Sequence, residues 1–122
     1  MIKEISKSEI SQYIKIAEKS GLIFCKKTIL YALYIDDEII GFTGIIFYKN
    51  KAIFKNHFIR DEYRKKGYFK ELFDFSLSIC RDKKISIIEA TCTKMSITEY
   101  LKRGFHIVSN YKNCQKVRNE NI

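Results

Sequence analysis

Residues 60–72 read RDEYRKKGYFKEL, and the reading of this stretch decides the fold. Gly67 is one of only five glycines in the chain. It stands where an amphipathic helix begins: Tyr68, Leu72, Phe75 and Ile79, flanked by Phe69, Phe73 and Cys80, form a wide apolar face at helical spacing. Before it, AIFKNHFI (52–59) is rich in β-branched and aromatic residues and reads as a strand. A helix start offers unpaired N–H groups and the positive end of the macrodipole. A strand that runs straight into such an end makes a loop able to wrap a phosphate. Glycine leaves the anion room and can adopt φ > 0, while Arg64, Lys65 and Lys66 add charge. The stretch has the chemistry of a pyrophosphate cradle; a solvated basic turn draws on the same residues.

Outward from there the period changes twice. ISIIEATCT (85–93) reads as a buried strand, so 52–93 predicts a strand–helix–strand crossover. Upstream, TILYALYI (28–35) and IIGFTGIIFY (39–48) predict a hairpin turning at Asp36-Asp37-Glu38, and Lys49-Asn50-Lys51 turns into the next strand. MIKEIS predicts a short first strand. Ser6 and Glu9 form a capping box opening a helix that ends at Gly21, with Ile10, Tyr13, Ile14 and Ala17 on its apolar face. Downstream, SITEYLKRG (96–104) predicts a short helix with Gly104 at its C′ position. FHIVSNYK and CQKVR finish the chain as strands. The order β-α-β-β-β-α-β-α-β-β is a mixed α/β arrangement in one domain spanning 1–122.

Composition bounds the function classes. A chain of 122 residues with 46% hydrophobic and 14% aromatic residues builds one core and is not a disordered segment. The net charge of +9 favours an acidic partner: nucleic acid, an anionic surface or a polyphosphate cofactor. The four cysteines (Cys25, Cys80, Cys92, Cys114) are widely spaced and there are only two histidines, which is not a zinc pattern, so no metal is expected. No signal peptide is recognisable and no apolar run is long enough to cross a bilayer, so a cytoplasmic chain with reduced thiols is expected.

Ile59 to Leu72 resembles the cofactor motif of the GNAT N-acyltransferases, usually V-x-P-E-Y-R-G-K-G-I-G-x-x-L. Glu62-Tyr63-Arg64 match outright, Lys66 and Gly67 fall in register, and Ile59 takes the place of the strand valine. DDEIIGFTGI, with Gly41, resembles the family's strand-turn-strand. TKMSITEYLKRGF resembles its later motif, with Tyr100, Gly104 and Phe105 aligned. Together these cover roughly residues 28–107 in the right order.

The resemblance implies a GNAT-like fold with a mixed, mostly antiparallel sheet flanked by helices. It implies acetyl-CoA as cosubstrate, lying between splayed strands 52–59 and 85–93. Backbone groups near Phe58 and Ile59 would meet the pantetheine arm. N–H groups across Arg64, Lys65, Lys66, Gly67, Tyr68 and Phe69 would take the pyrophosphate. Direct transfer to an amine needs the amine neutral, against a lysine-like pKa of about 10.4, so a base is required. Tyr100 is implied as the acid assisting the thiolate, although its spacing with Ile97 and Leu101 also suits a core aromatic. His57 and Glu89 are the candidate bases. Cys92 stands near the acyl position but reads equally as a small core residue.

Three positions depart from the family pattern. Phe69 stands where Gly or Ala is usual, Thr93 replaces an Asn, and Asp61 a Pro. A ring at Phe69 turned inward leaves the cradle intact; turned outward, it crowds the phosphates. Only Leu22 to Lys27 separates the first helix from the second strand, implying an open acceptor side, suited to a large substrate or completed by a second copy in a homodimer. The acceptor that the resemblance implies is an amine of a small molecule, a protein or an aminoacyl-tRNA. The alternative is a non-catalytic nucleic-acid-binding module that keeps the fold, using basic and aromatic residues as in YRKKGYF.

Overall fold

The computed structural model describes residues 1–11, 27–94 and 96–120. Its strands are β1 (Ile2–Ile5), β2 (Ile29–Ile35), β3 (Glu38–Phe47), β4 (Lys51–Ile59), β5 (Ile87–Cys92), β6 (His106–Asn110) and β7 (Gln115–Asn119). Helix α1 (Tyr68–Asp82) joins β4 to β5 and helix α2 (Ile97–Lys102) joins β5 to β6. All seven strands form one sheet in the order β1-β2-β3-β4-β5-β7-β6. The pair β4–β5 is parallel and every other pair antiparallel. The expected mixed α/β order holds across these elements, including the crossover.

The expected first helix lies mostly outside the described residues, as does most of 22–27. Its opening is a 3₁₀ turn, Lys7–Ile10, where the Ser6 N–H donates to Glu9 Oε1 at 3.1 Å. Asp36 and Asp37 take φ of 50° and 65°, the left-handed pair that a two-residue hairpin needs to match strand twist. Gly41 is required by a close approach: a Cβ there would lie 2.6 Å from Ile59 Cδ1 and 2.7 Å from the Phe58 carbonyl oxygen. Gly104 occupies the C′ position behind α2, as expected.

Helix α1 buries Leu72, Phe73, Leu77 and Cys80. Phe73 is the hub, with its ring centroid 5.9 Å from Phe54, 4.7 Å from Tyr100 and 5.9 Å from Phe105. This cluster welds both helices to one face of the sheet. Such edge-to-face pairs each add about 0.5–1.5 kcal/mol beyond area burial.

One irregularity shapes the site. Phe42 pairs with Phe58 but Gly44 pairs with Lys55, so Asn56 and His57 together face Thr43 in a β-bulge. Side chains alternate along a strand, and the extra residue reverses the alternation. Ala52 and Phe54 face α1 before the bulge, and His57 and Ile59 face it afterwards. Phe58 is thereby sent to the opposite face, against Phe42 at 5.3 Å.

Candidate active site

Parallel pairing of β4 and β5 runs from Lys51–Ile87 to Phe54–Ala90 and stops. Beyond that rung the strands part. A cleft of about 550 Å³ fills the gap, walled by Lys55, His57, Phe58 and Ile59 on one side and Thr91 to Thr93 on the other. Tyr100 lies on its wall, and it runs to the loop carrying Arg64, Lys65 and Gly67.

That loop is built for close approach. Lys65 and Gly67 both have left-handed backbones, φ 61° and 87°. Among the described residues nothing lies within 4 Å of the space a Gly67 Cβ would occupy, so the room there is open to a ligand. The first helical bond across the junction runs from the Glu71 N–H to the Gly67 carbonyl, 3.1 Å. The N–H groups of Tyr68, Phe69 and Lys70 therefore precede the helical ladder. Lys65 and Lys66 are exposed. Arg64 is a clamp: its Nε donates to the Ile59 carbonyl at 2.8 Å and its guanidinium meets Asp61 at 2.6 Å. Phe58 and Ile59 line the cleft although both residues are buried, at 6% and 5% exposure.

Phe69 turns inward. Its ring stacks on His57 at 4.1 Å and packs on Phe73 at 5.9 Å, which keeps it off the mouth of the loop. Donors, open space and positive charge at the loop fit a diphosphate, and the unpaired strand edge fits the amide-bearing arm of acetyl-CoA.

The candidate acid–base residues sit in three different environments. Tyr100 is 4% exposed, and burial pushes its hydroxyl well above the usual phenol range, so it holds its proton at neutral pH. His57 reaches Thr43 Oγ1 through Nδ1 at 3.5 Å, while its buried Nε2 has no hydrogen-bond partner among the described residues. Burial pushes this imidazole from 6.5 down to about 3. Glu89 is clamped by Lys51 at 2.5 Å, Arg118 at 2.7 Å and Lys116 at 3.6 Å. The hydrogen bond from Lys51 leads in holding its carboxyl at about 2. A base is most useful with its pKa near the working pH, and these surroundings suit neither His57 nor Glu89 to that work. Glu89 also does not line the cleft.

Cys92 is buried, its thiol donating to the Gln115 carbonyl at 3.6 Å, and burial raises its pKa. Lys55, Lys70 and Glu99 line the cleft without having been singled out in the sequence. Glu99 is bound by Arg103 at 2.8 Å, the main cause of its lowered pKa. Among the described residues no group of three or more His, Cys, Asp or Glu could hold a metal ion. Nor, among them, is any helix long and apolar enough to cross a membrane.

A mixed sheet that parts beside a glycine-gated helix start defines an acyl-CoA-binding transferase architecture. Residues 3–118 match the family model described as an acetyltransferase (GNAT) domain. The chain belongs to the GNAT acetyltransferases and is an N-acetyltransferase by class, with acetyl-CoA as the cosubstrate of that class. Its fold is similar to that of the ribosomal-protein-S18-alanine N-acetyltransferase from Escherichia coli, at TM-score 0.83 and 11% identity over 98% of this chain and 92% of that one. It is also similar to an IAA acetyltransferase from Bacillus cereus, at TM-score 0.80 and 16% identity over 99% of both chains. A GNAT family acetyltransferase from Elizabethkingia anophelis with acetyl-CoA bound aligns at TM-score 0.73 and 15% identity, over 99% of this chain and 97% of that one. No curated protein sequence matches the chain. The nucleic-acid alternative finds no support in these comparisons.

Proposed function

We propose that this chain transfers an acetyl group from acetyl-CoA to a primary amine by direct attack. The observation that carries the reading is the parting of β4 and β5 after Phe54–Ala90, above a cleft that ends at Gly67. When bound, acetyl-CoA supplies the activated acyl thioester.

The chain's own residues do the rest. Backbone donors from Lys65 to Phe69 receive the diphosphate, with the Lys65 and Lys66 ammonium groups adding charge. Backbone groups near Phe58 and Ile59 orient the pantetheine arm. Arg64 fixes the loop through Ile59 and Asp61 rather than spending its charge on the ligand. Tyr100 Oη holds a proton on the cleft wall, where general-acid assistance to a departing sulfur is needed. With His57 and Glu89 in their observed surroundings, the amine proton is lost to water entering the cleft.

Thiol release from acetyl-CoA, followed against a panel of amines, tests this. Amine-dependent release proportional to protein, depressed in Tyr100→Phe, is expected. Acetyl-CoA binding with no release above the blank for any amine would contradict it.

A further inference from the structure

Lys55 and Thr91 are the first residues beyond the last β4–β5 rung. Both line the cleft, and both also line a second hollow of about 360 Å³. Ala52 and Phe54 pack toward α1, so by strand alternation Lys51, Ile53 and Lys55 face the other side of the sheet. The second hollow is thus the opposite mouth of the gap through which β4 and β5 part.

That mouth is strongly cationic. Glu89, 4% exposed, forms its floor and gathers Lys51, Lys116 and Arg118. Arg118 has a second, distant carboxylate in Glu120 at 3.8 Å. Lys55 makes no ion pair among the described residues and lines both hollows. One buried carboxylate therefore pins three cations in place and leaves the excess positive charge facing solvent. A simple ammonium or a polyamine approaching here meets repulsion, whereas an amine that carries its own negative charge is attracted and oriented.

We propose that the acceptor is a small amine bearing a carboxylate or phosphate close to its nitrogen. Lys55, Lys51 and Lys116 receive the anionic group, and the nitrogen enters the cleft between Lys55 and Thr91. This rests on the transferase reading above and adds the substrate class. The acceptor ammonium gives one proton to water, its nitrogen forms the amide bond to the acyl carbon as the thioester C–S bond breaks, Tyr100 Oη protonates the departing sulfur, and the second proton of the nitrogen restores Tyr100.

The experiment uses the whole chain loaded with CoA for calorimetry, and with acetyl-CoA for transfer rates. The probes are L-glutamate, O-phosphoethanolamine, glycinamide and spermidine; the first two separate carboxylate from phosphate. Anionic amines should bind and should exceed glycinamide in kcat/KM by about tenfold or more, with spermidine the poorest. Lys55→Glu should invert that order. Lys116→Gln, a milder change, should weaken the preference without inverting it, and thermal melts check that both variants fold. Spermidine preferred by the unaltered protein, an order indifferent to Lys55→Glu, or anionic amines neither bound nor acetylated would each overturn the proposal while leaving acetyl-CoA binding intact. Failure to bind acetyl-CoA at all would instead bring down the transferase reading, and this proposal with it.

Discussion

The phenyl ring of Phe69 lies on the imidazole of His57, centroids 4.1 Å apart and planes inclined by 27°. The β4 bulge turns His57 toward α1, and the first turn of α1 brings Phe69 down onto it. A large residue at a position where the family prefers a small one is thereby absorbed into the interior. Phe69→Ala should cost about 2 kcal/mol, below a fully buried Phe because this ring is only partly covered. Acetyl-CoA affinity should change by no more than about threefold, since the ring supports the loop from beneath. Urea unfolding and calorimetry check the two halves.

His57 makes stability fall on mild acidification. Its folded-state pKa is about 3 against 6.5 in the unfolded chain, so between those values the unfolded state binds the extra proton. Stability is complete above 6.5 and is lost as pH falls toward 3, by about 2 kcal/mol between pH 7 and 5. His57→Phe should remove that slope. Denaturant midpoints measured across pH 4–8 read it directly.

Glu89 acts as the pin of a charge cluster. Glu89→Gln should cost about 2 kcal/mol at neutral pH, because Lys51, Lys116 and Arg118 lose their shared partner. The carboxyl is held at about 2, against 4.5 ordinarily, so its contribution is present above 4.5 and fades as pH falls toward 2. The variant should therefore converge with the parent in stability in strong acid. Its kcat should keep the parent's pH profile if, as proposed, the acceptor's proton goes to water and not to Glu89.

Tyr100→Phe removes one buried hydroxyl and leaves the ring among Phe73 and Phe105. The melting temperature should move little. If Oη supplies the proton for the leaving sulfur, kcat falls by about a hundredfold, with KM for acetyl-CoA nearly unchanged. Steady-state kinetics beside a thermal melt separates the two effects.

Much of this architecture is local and was legible in the sequence. Asp36-Asp37-Glu38 announces a tight turn, which the structure closes with two residues, Gly67 the start of α1 and Gly104 the end of α2, each through backbone conformation that residue type governs. The glycine-bearing loop before α1 was legible for the same reason. What escaped depends on registry between distant segments. Nothing in FHIVSNYK or CQKVR reveals that β7 enters the sheet between β5 and β6. The bulge at 56–57 has no residue signature, yet it decides that His57 faces α1 while Lys55 faces the opposite mouth. Glu89 reads as a candidate base until Arg118 and Lys116 arrive from β7. Lys55 gains its meaning only from where β4 and β5 stop pairing.

The most direct test of the central claim is thermal unfolding with and without acetyl-CoA, in the parent and in Gly67→Glu. The substitution places a carboxylate in the open space of the loop, at φ +87°, where a side chain costs about 1 kcal/mol of backbone strain. Acetyl-CoA at a hundred times its dissociation constant should stabilise the parent by about 2.7 kcal/mol, a rise of about 10 °C for a domain of this size. Gly67→Glu should remain folded and show no rise. No rise in the parent at saturating acetyl-CoA, or an equal rise in both, would contradict the assignment of this loop as the cofactor cradle.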